Sequence, residues 1–317
     1  MLSFILRRII YTVPIMLGVS LVCFALVHIS PGDPLVSILP PDASVELQEQ
    51  MMAIYGFDRS YPEQFLRWLG LALQGDLGNS IATGRPVVTE VFNAVGNTLI
   101  LAVTATIIGF TLGGLFGFVA GYFRDSWIDK LATAISVVGV SVPHYWLGMV
   151  MVIIFSVELR WLPATGAGPG GSSQWVWDWE HMQYLILPAI TMSVIPMGIV
   201  ARTVRALVAD ILQQEFVSGL RAKGLLDRGV LAHVIKNAAP TALAVMGLQL
   251  GYLLGGSILI ETVFSWPGTG FLLGQAIFQR DLPLLQGTIL VLAMFFVILN
   301  LLVDVAQTAL DPRLQRG

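Results

Sequence analysis

Six long apolar intervals recur along the chain, and none of them contains Asp, Glu, Lys or Arg. A helix that crosses a bilayer needs about 20 mostly apolar residues, because each residue rises about 1.5 Å across a hydrocarbon core of about 30 Å. The six intervals meet this requirement, with approximate bounds 9–29, 98–122, 131–157, 184–201, 238–260 and 284–303. The pattern predicts an all-α membrane protein with six transmembrane helices.

The positive charges are divided unequally between the two sides of these spans. Six spans place both termini on one side, and 12 of the 17 Lys and Arg residues fall on that side. Cytoplasmic loops carry the excess of Lys and Arg in membrane proteins, so both termini are predicted to be cytoplasmic. The same assignment makes 30–97 an external loop and 202–237 a cytoplasmic loop. We expect a short N-terminal cytoplasmic or interfacial segment, 1–8, followed by a single transmembrane domain, 9–317.

Composition narrows the function classes. The chain is 56% hydrophobic and 12% charged, whereas soluble domains carry about 25% charged residues. A net charge of −3 gives no basic field for nucleic acid. The sequence has no Gly-rich phosphate loop ending in Gly-Lys-Ser/Thr and no His-Glu-x-x-His, and Cys23 is its one cysteine. We expect a non-catalytic chain that binds no cofactor and no metal.

Polar residues inside or at the ends of the predicted spans are candidates for a solute path: Asn97, His144, Gln249 and Asn300. Unpaired polar groups are costly in lipid, so such residues either pair with a neighbouring helix or line a wet passage. The sequence leaves both interpretations open. Pro143 is expected to kink the third span. A glycine series on the second span indicates close helix packing and consists of Gly109, Gly113, Gly114, Gly117 and Gly121.

The cytoplasmic loop has helical periodicity of its own. Leu212, Phe216 and Leu220 recur every four residues, which predicts an amphipathic helix over 210–223. Gly224 then stands where a helix C-cap glycine belongs. Asp227 is expected to cap a second helix. The segment is either an ordinary connecting loop or a docking element that faces the cytoplasm.

Short motifs in a fixed order carry a family resemblance over almost the full length. They are Phe4-Ile-Leu-Arg-Arg8 with Pro31-Gly-Asp-Pro34, Phe65-Leu-Arg-Trp-Leu69 with Gly75-Asp-Leu-Gly78, Ser141-Val-Pro-His-Tyr-Trp-Leu-Gly148, Trp161-Leu-Pro163, Arg221-Ala-Lys-Gly-Leu225, Glu261-Thr-Val-Phe-Ser-Trp-Pro-Gly268 and Asp311-Pro-Arg313. With these motifs the chain resembles the permease subunits of binding-protein-dependent ABC importers, specifically the dipeptide/oligopeptide group. The resemblance implies a type I ABC importer permease fold and a bacterial inner-membrane location.

The resemblance also implies partners and a coupling site. The implied partners are a second homologous permease, two ABC ATPase subunits that use ATP and Mg²⁺, and an extracytoplasmic solute-binding protein. Many ABC permeases begin their ATPase-docking motif with Glu-Ala-Ala, where this chain has Ser218-Gly219-Leu220. The implied ATPase-coupling residues are Glu215, Ser218, Gly219, Arg221, Ala222, Lys223, Gly224, Leu225 and Asp227.

The cargo implied by the resemblance is a small peptide moved by alternating access. Glutathione, nickel and sugar-like solutes are alternatives within the same importer class. Outside that class the alternative is a secondary transporter, which usually needs ionisable residues within its spans. His144 is the one such residue at a span centre, so the sequence favours the importer.

Overall fold

The computed structural model describes residues 2–29, 44–55, 58–172 and 175–310, and these residues form helices joined by turns and loops. The α-helices of this described part are α1 Leu2–Ile29, α2 Val45–Tyr55, α3 Tyr61–Leu73, α4 Val87–Tyr122, α5 Trp127–Ser141, α6 His144–Met151, α7 Trp179–Leu212, α8 Glu215–Ala222, α9 Asp227–Val263, α10 Thr269–Gln279 and α11 Leu282–Leu310. A π-helix, Val152–Glu158, continues α6, and a 3₁₀ turn covers Pro169–Gly171.

Four helices in the described residues are long and apolar enough to cross a membrane: Val87–Tyr122, Trp179–Leu212, Asp227–Leu253 and Leu282–Leu302. A bent pair, Trp127–Ser141 with His144–Glu158, gives a fifth crossing if it counts as one span. These five fall on the second to sixth predicted spans. The first predicted span falls on α1, whose described apolar part is Ile10–Ala25. The count of six and the side of each terminus stay predictions.

The third predicted span, 131–157, contains a break at the proline that was expected to kink it. It starts earlier, at Trp127, and breaks between α5 and α6 with a bend of 98°. Pro143 is the physical cause, because it has no N–H to donate and its ring disfavours helical geometry in the preceding residue. Val142 accordingly adopts extended backbone, with φ −80° and ψ 126°. The expected kink is therefore a full break.

The chain packs as two compact units, one of residues up to 96 with 267–298 and the other of 97–266 with 299 onward. The apolar core of the first unit is formed by Leu77, Val87, Val91, Ala276, Leu284 and Val291. The second unit has two core clusters, one around the fully buried Phe264 and Trp266 and one that joins α7, α8 and α9. The predicted division into 1–8 and a single domain from 9 to 317 stays a prediction.

A buried carboxylate organises the first unit. Asp281 precedes α11, and its Oδ1 accepts the Leu284 backbone N–H at 3.1 Å, as an N-cap does. Its Oδ2 accepts the Ser80 hydroxyl at 2.5 Å and the Ala82 N–H at 3.1 Å. Every one of these donors is supplied by the same unit. Asp281 therefore ties the loop before α4 to the start of α11.

Glycines of α4 permit close packing on α7 inside the second unit. A Cβ added to Gly109, Gly113 or Gly121 would lie within 2.6–2.9 Å of an α7 carbonyl oxygen. Gly117 is closer still, against the Ala201 carbonyl. The predicted packing role of the series is confirmed for these four residues, whereas a Cβ on Gly114 would meet nothing within 4 Å.

Candidate coupling site and solute path

The short helix α8 is held by one buried side chain. Val217 is 1% exposed and belongs to a cluster with Val208 and Ile211 of α7 and Val230 and Val234 of α9. Burying a valine from water contributes about 1.5–3 kcal/mol. The sequence periodicity selected Leu212, Phe216 and Leu220, of which Leu212 and Leu220 pack partly buried against this cluster and Phe216 is exposed. Val217, the buried residue of α8, was missed by the sequence interpretation.

The predicted helix over 210–223 is wrong in its extent. The chain leaves α7 at Leu212 and starts α8 at Glu215. The N–H groups of Gln213 and Gln214 close the last turn of α7 by donating to Asp210 and Ile211 carbonyls at 3.2 and 3.1 Å. Gln214 then adopts extended backbone, with φ −73° and ψ 146°. A two-residue corner thus separates the coupling helix from α7.

The turn after α8 is a Schellman motif. The Gly224 N–H donates to the Arg221 carbonyl at 2.9 Å, and the Leu225 N–H donates to the Leu220 carbonyl at 3.2 Å. Gly224 has φ +83°, which glycine adopts without a side-chain clash. The prediction of a C-cap glycine at 224 is confirmed.

The start of α9 differs from the prediction by one residue. The N-cap is Leu226, with extended backbone, and Asp227 is the first helical residue. The Asp227 side chain therefore does not hold the cap position that was expected of it. A carboxylate in the first turn is still favourable, because the N-terminal end of a helix carries partial positive charge.

All nine predicted coupling residues lie on the surface of one contiguous segment. Glu215, Ser218, Gly219, Arg221, Ala222, Lys223, Gly224, Leu225 and Asp227 are each exposed. Between them, Leu226 is 80% exposed. Arg221 and Lys223 form no ion pair with any described residue. The surface therefore combines a projecting apolar side chain at Leu226 with charges of both signs, Arg221 and Lys223 beside Glu215 and Asp227.

The four candidate path residues occupy four different helices, and one of them, Asn97, makes helix-packing contacts. Asn97 is buried, and its carbonyl accepts the Trp266 indole N–H at 3.0 Å. The next residue, Thr98, donates its hydroxyl to the buried Glu261 carboxylate at 2.8 Å. These contacts join α4 to the end of α9 within the second unit. They favour the helix-packing interpretation for Asn97.

The other three candidates are partly exposed. His144 opens α6 directly after the break at Pro143, Gln249 lies within α9, and Asn300 lies within α11. The Oε1 atom of Gln249 is buried and accepts no hydrogen bond in the described part of the chain. Because an unsatisfied acceptor inside a protein is costly, Gln249 is a candidate to meet a polar solute or water.

An ion pair that the sequence interpretation did not identify joins α5 to α7. The Asp129 carboxylate is 3% exposed and receives the Arg205 guanidinium as a fork. Nη2 of Arg205 donates to Oδ2 at 2.7 Å, and Nε donates to Oδ1. The residues are 76 positions apart, and no local pattern links them. In the sequence interpretation, Arg205 was used only in counting the positive charges on each side of the membrane.

Two family models match the chain. Residues 113–316 match the binding-protein-dependent transport system inner membrane component, and residues 1–102 match the N-terminal component of such membrane proteins. The glutathione transport system permease protein GsiC of Escherichia coli O6:H1 is 37% identical over 316 residues, 99% of each chain. The dipeptide transport system permease protein DppB of Alkalihalophilus pseudofirmus is 36% identical over 333 residues, 99% of this chain and 100% of that one.

Among solved structures, an inward-facing conformation of the MetNI methionine ABC transporter matches with a TM-score of 0.56. The match covers 70% of this chain and 96% of the other chain at 16% identity. At that identity the likeness shows the fold, which is that of an ABC importer permease.

Proposed function

Because this chain belongs to the family of binding-protein-dependent transport system inner membrane components, as a permease of its peptide group, we propose that it forms half of the pore of an ATP-driven importer of small peptides. The proposed location is the bacterial cytoplasmic membrane, crossed several times. The proposed partners are a second homologous permease, two ATPase subunits and an external solute-binding protein. ATP and Mg²⁺ are used by the ATPases, and this chain does no covalent chemistry.

The exposed segment from Glu215 to Asp227 carries the proposal. It is a rigid knob, since α8 is anchored through Val217 and its turn is closed by the Schellman hydrogen bonds. Its exposed face has an apolar tip at Leu226 and carries charges of both signs. A protein that lacks a phosphate loop but presents such a knob is suited to take its energy from a separate ATPase.

The mechanism that follows is alternating access. Closure of two ATPases on ATP displaces α8, and the Val217 cluster passes the displacement to α7 and α9. The spans then open outward to receive solute from the binding protein and later open inward to release it. A ligand shifts such an equilibrium only by its difference in affinity between the two states, so binding protein and ATP must favour the outward-open state together.

The peptide class of the cargo is supported by the two relatives, one named for dipeptides and one for glutathione, itself a tripeptide. Within the pore, His144, Gln249 and Asn300 are the proposed path residues. The buried Oε1 of Gln249, which accepts no hydrogen bond from a described residue, supports this role. Asn97 is assigned to packing instead. A pore that holds its cargo weakly is expected, because a tight site would stop conduction.

The complete importer in proteoliposomes tests the proposal. With binding protein and ATP present, we expect uptake of a labelled dipeptide or glutathione, and none with a non-hydrolysable ATP analogue. Uptake of Ni²⁺ or a sugar in place of any peptide would contradict the cargo class. Uptake that follows an ion gradient without ATP would identify a secondary transporter and overturn the importer assignment.

A matched pair of exposed leucines tests the knob. Leu226 and Leu73 are 80% and 81% exposed, so aspartate is tolerated at either site without loss of burial. Leu226→Asp is expected to abolish co-purification of the ATPase, and Leu73→Asp to leave it unchanged. Equal ATPase recovery with both variants would remove the docking role of the knob.

A further inference from the structure

We propose that the Asp129–Arg205 ion pair is the positioning contact that passes movement of the coupling helix α8 to the broken third span; this inference rests on the proposed function. Neither residue belongs to the exposed knob. Their role is to make α5 follow α7 when α8 is displaced.

On the α5 side, the Asp129 carboxylate accepts further hydrogen bonds besides those from Arg205. Besides the guanidinium, Asp129 Oδ2 accepts the Asp125 backbone N–H at 3.0 Å, and Oδ1 accepts the Thr133 hydroxyl at 3.3 Å. The Asp129 N–H itself donates to the Ser126 hydroxyl, the N-cap of α5, at 3.3 Å. Both carboxylate oxygens are thus occupied, and the carboxylate cannot rotate without breaking its hydrogen bonds to Asp125 and Thr133.

The α7 side of the pair lies close to the coupling helix. Arg205 stands about two turns before α7 ends at Leu212. The residues between them include Val208 and Ile211, which form the seat for Val217 of α8. A displacement of α8 therefore acts on the same end of α7 that holds Asp129.

The ion pair fixes the relative position of α5 and α7, which apolar packing alone does not do. Apolar contacts let packed helices slide over each other by small steps, whereas a forked guanidinium–carboxylate contact fixes position and direction. The Arg205 side chain is 33% exposed and the Asp129 side chain is buried.

The third span is the element that this contact would move. From Asp129, α5 continues to Ser141, directly before the break at Val142 and Pro143, and α6 then starts with the path candidate His144. Both α5 and α6 pack on α7. If α5 follows α7, the break between α5 and α6 changes its angle, and His144 changes its position. The coupling helix is in this way connected to the proposed solute path.

The experiment compares ATP consumed per solute imported by the complete reconstituted importer. The main variant is the double substitution Asp129→Leu with Arg205→Met, because apolar replacement of both partners leaves no unpaired buried charge. We expect normal assembly with all partners, continued ATP hydrolysis, and a rise of about tenfold in ATP used per solute, the size of change that coupling residues produce. A double variant that assembles and keeps the wild-type ratio would overturn the proposal.

A second variant covers the case in which the double variant does not assemble. Arg205→Lys keeps the charge but loses the fork, so assembly is expected with a rise of about threefold in the same ratio. An unchanged ratio here also contradicts the proposal. Arg59→Gln with Glu63→Gln, which removes an exposed ion pair of 2.6 Å at the start of α3, is the control and should keep the wild-type ratio.

Failure of the wild type to import any solute with ATP would overturn the proposed function and this inference with it. Normal import by the wild type, together with wild-type ratios in both pair variants, would overturn this inference alone.

Discussion

Gly113 of α4 lies so close to Met197 of α7 that a Cβ on the glycine would come within 2.6 Å of the Met197 carbonyl oxygen. The contact is with backbone, which cannot turn aside as a flexible side chain does. Lipid gives apolar helices little reason to prefer each other, so close backbone approach is a main source of helix–helix affinity in a membrane. The glycine is therefore a requirement of this helix pair.

Gly113→Ala is expected to destabilise the protein, and Gly114→Ala is the control in the same turn. The first Cβ forces α4 and α7 apart, and overpacking of this kind costs about 1–3 kcal/mol. The second Cβ meets nothing within 4 Å. Thermal unfolding in detergent should show a lower midpoint for the alanine at 113 only. Equal unfolding midpoints for the two variants would mean that α4 and α7 can move apart at little cost in free energy.

Periodicity explains both the success and the error in the glycine prediction. Gly109, Gly113, Gly117 and Gly121 are spaced by four, so they share a helix face and meet one partner. Gly114 is one position further round the helix and faces elsewhere. Sequence reasoning recognised the series but did not separate this residue from the row. The spacing alone was sufficient to do so.

Other features could not be predicted from local sequence patterns. The repeat of Leu212, Phe216 and Leu220 continues across the corner at Gln213 and Gln214, so the repeat could not reveal that α7 stops there. Likewise, a proline predicts a disturbance in a span but not its angle, which depends on what the two halves pack against. The Asp129–Arg205 pair needs a contact between distant segments that one sequence does not specify.

The turn at Gly224 leads to a prediction that separates strain from docking. Gly224→Trp is expected to leave membrane insertion and pairing with the second permease intact, but to abolish ATPase association and solute-stimulated ATP hydrolysis. Left-handed backbone costs a non-glycine residue about 1–2 kcal/mol, too little to unfold a membrane-embedded chain. The large ring would instead occupy the surface that the ATPase must meet. Co-purification measures the ATPase association, and an ATP hydrolysis assay measures its stimulation by solute.

Gly75→Trp is the matched control for that variant. Gly75 has the same φ of +83°, and a Cβ there also meets nothing within 4 Å. The backbone strain is therefore equal, but residue 75 lies in the loop predicted to be external. We expect normal ATPase association with this control. Normal uptake by Gly224→Trp at normal abundance would assign the knob to a simple connection between helices.

Asp281 gives a prediction for the first unit. Asp281→Ala is expected to lower the unfolding free energy by about 1–3 kcal/mol, because the buried Ser80 hydroxyl and the backbone N–H groups of Leu284 and Ala82 lose their acceptor. Asp76→Ala, which removes an exposed hydrogen bond to the Gly78 N–H, should cost much less. Limited proteolysis of the loop before α4 measures the local loosening. Equal cleavage of both variants would show that Asp281 does not hold that loop.

Single cysteines at Ser44 and Ser218 test the orientation that the positive charges predict. Cys23 is buried, and Cys23→Ala provides a background without it. Both serines are exposed, so reaction with a membrane-impermeant maleimide depends on the side of the membrane and on cover by a partner. In intact spheroplasts, Ser44→Cys should react and Ser218→Cys should not.

In inside-out vesicles Ser218→Cys should react when the ATPases are absent and be protected when they are bound, because it lies on α8, the proposed docking helix. Labelling of Ser218→Cys from the outside would reverse the topology, whereas equal labelling with and without ATPase would keep the topology and remove the docking site.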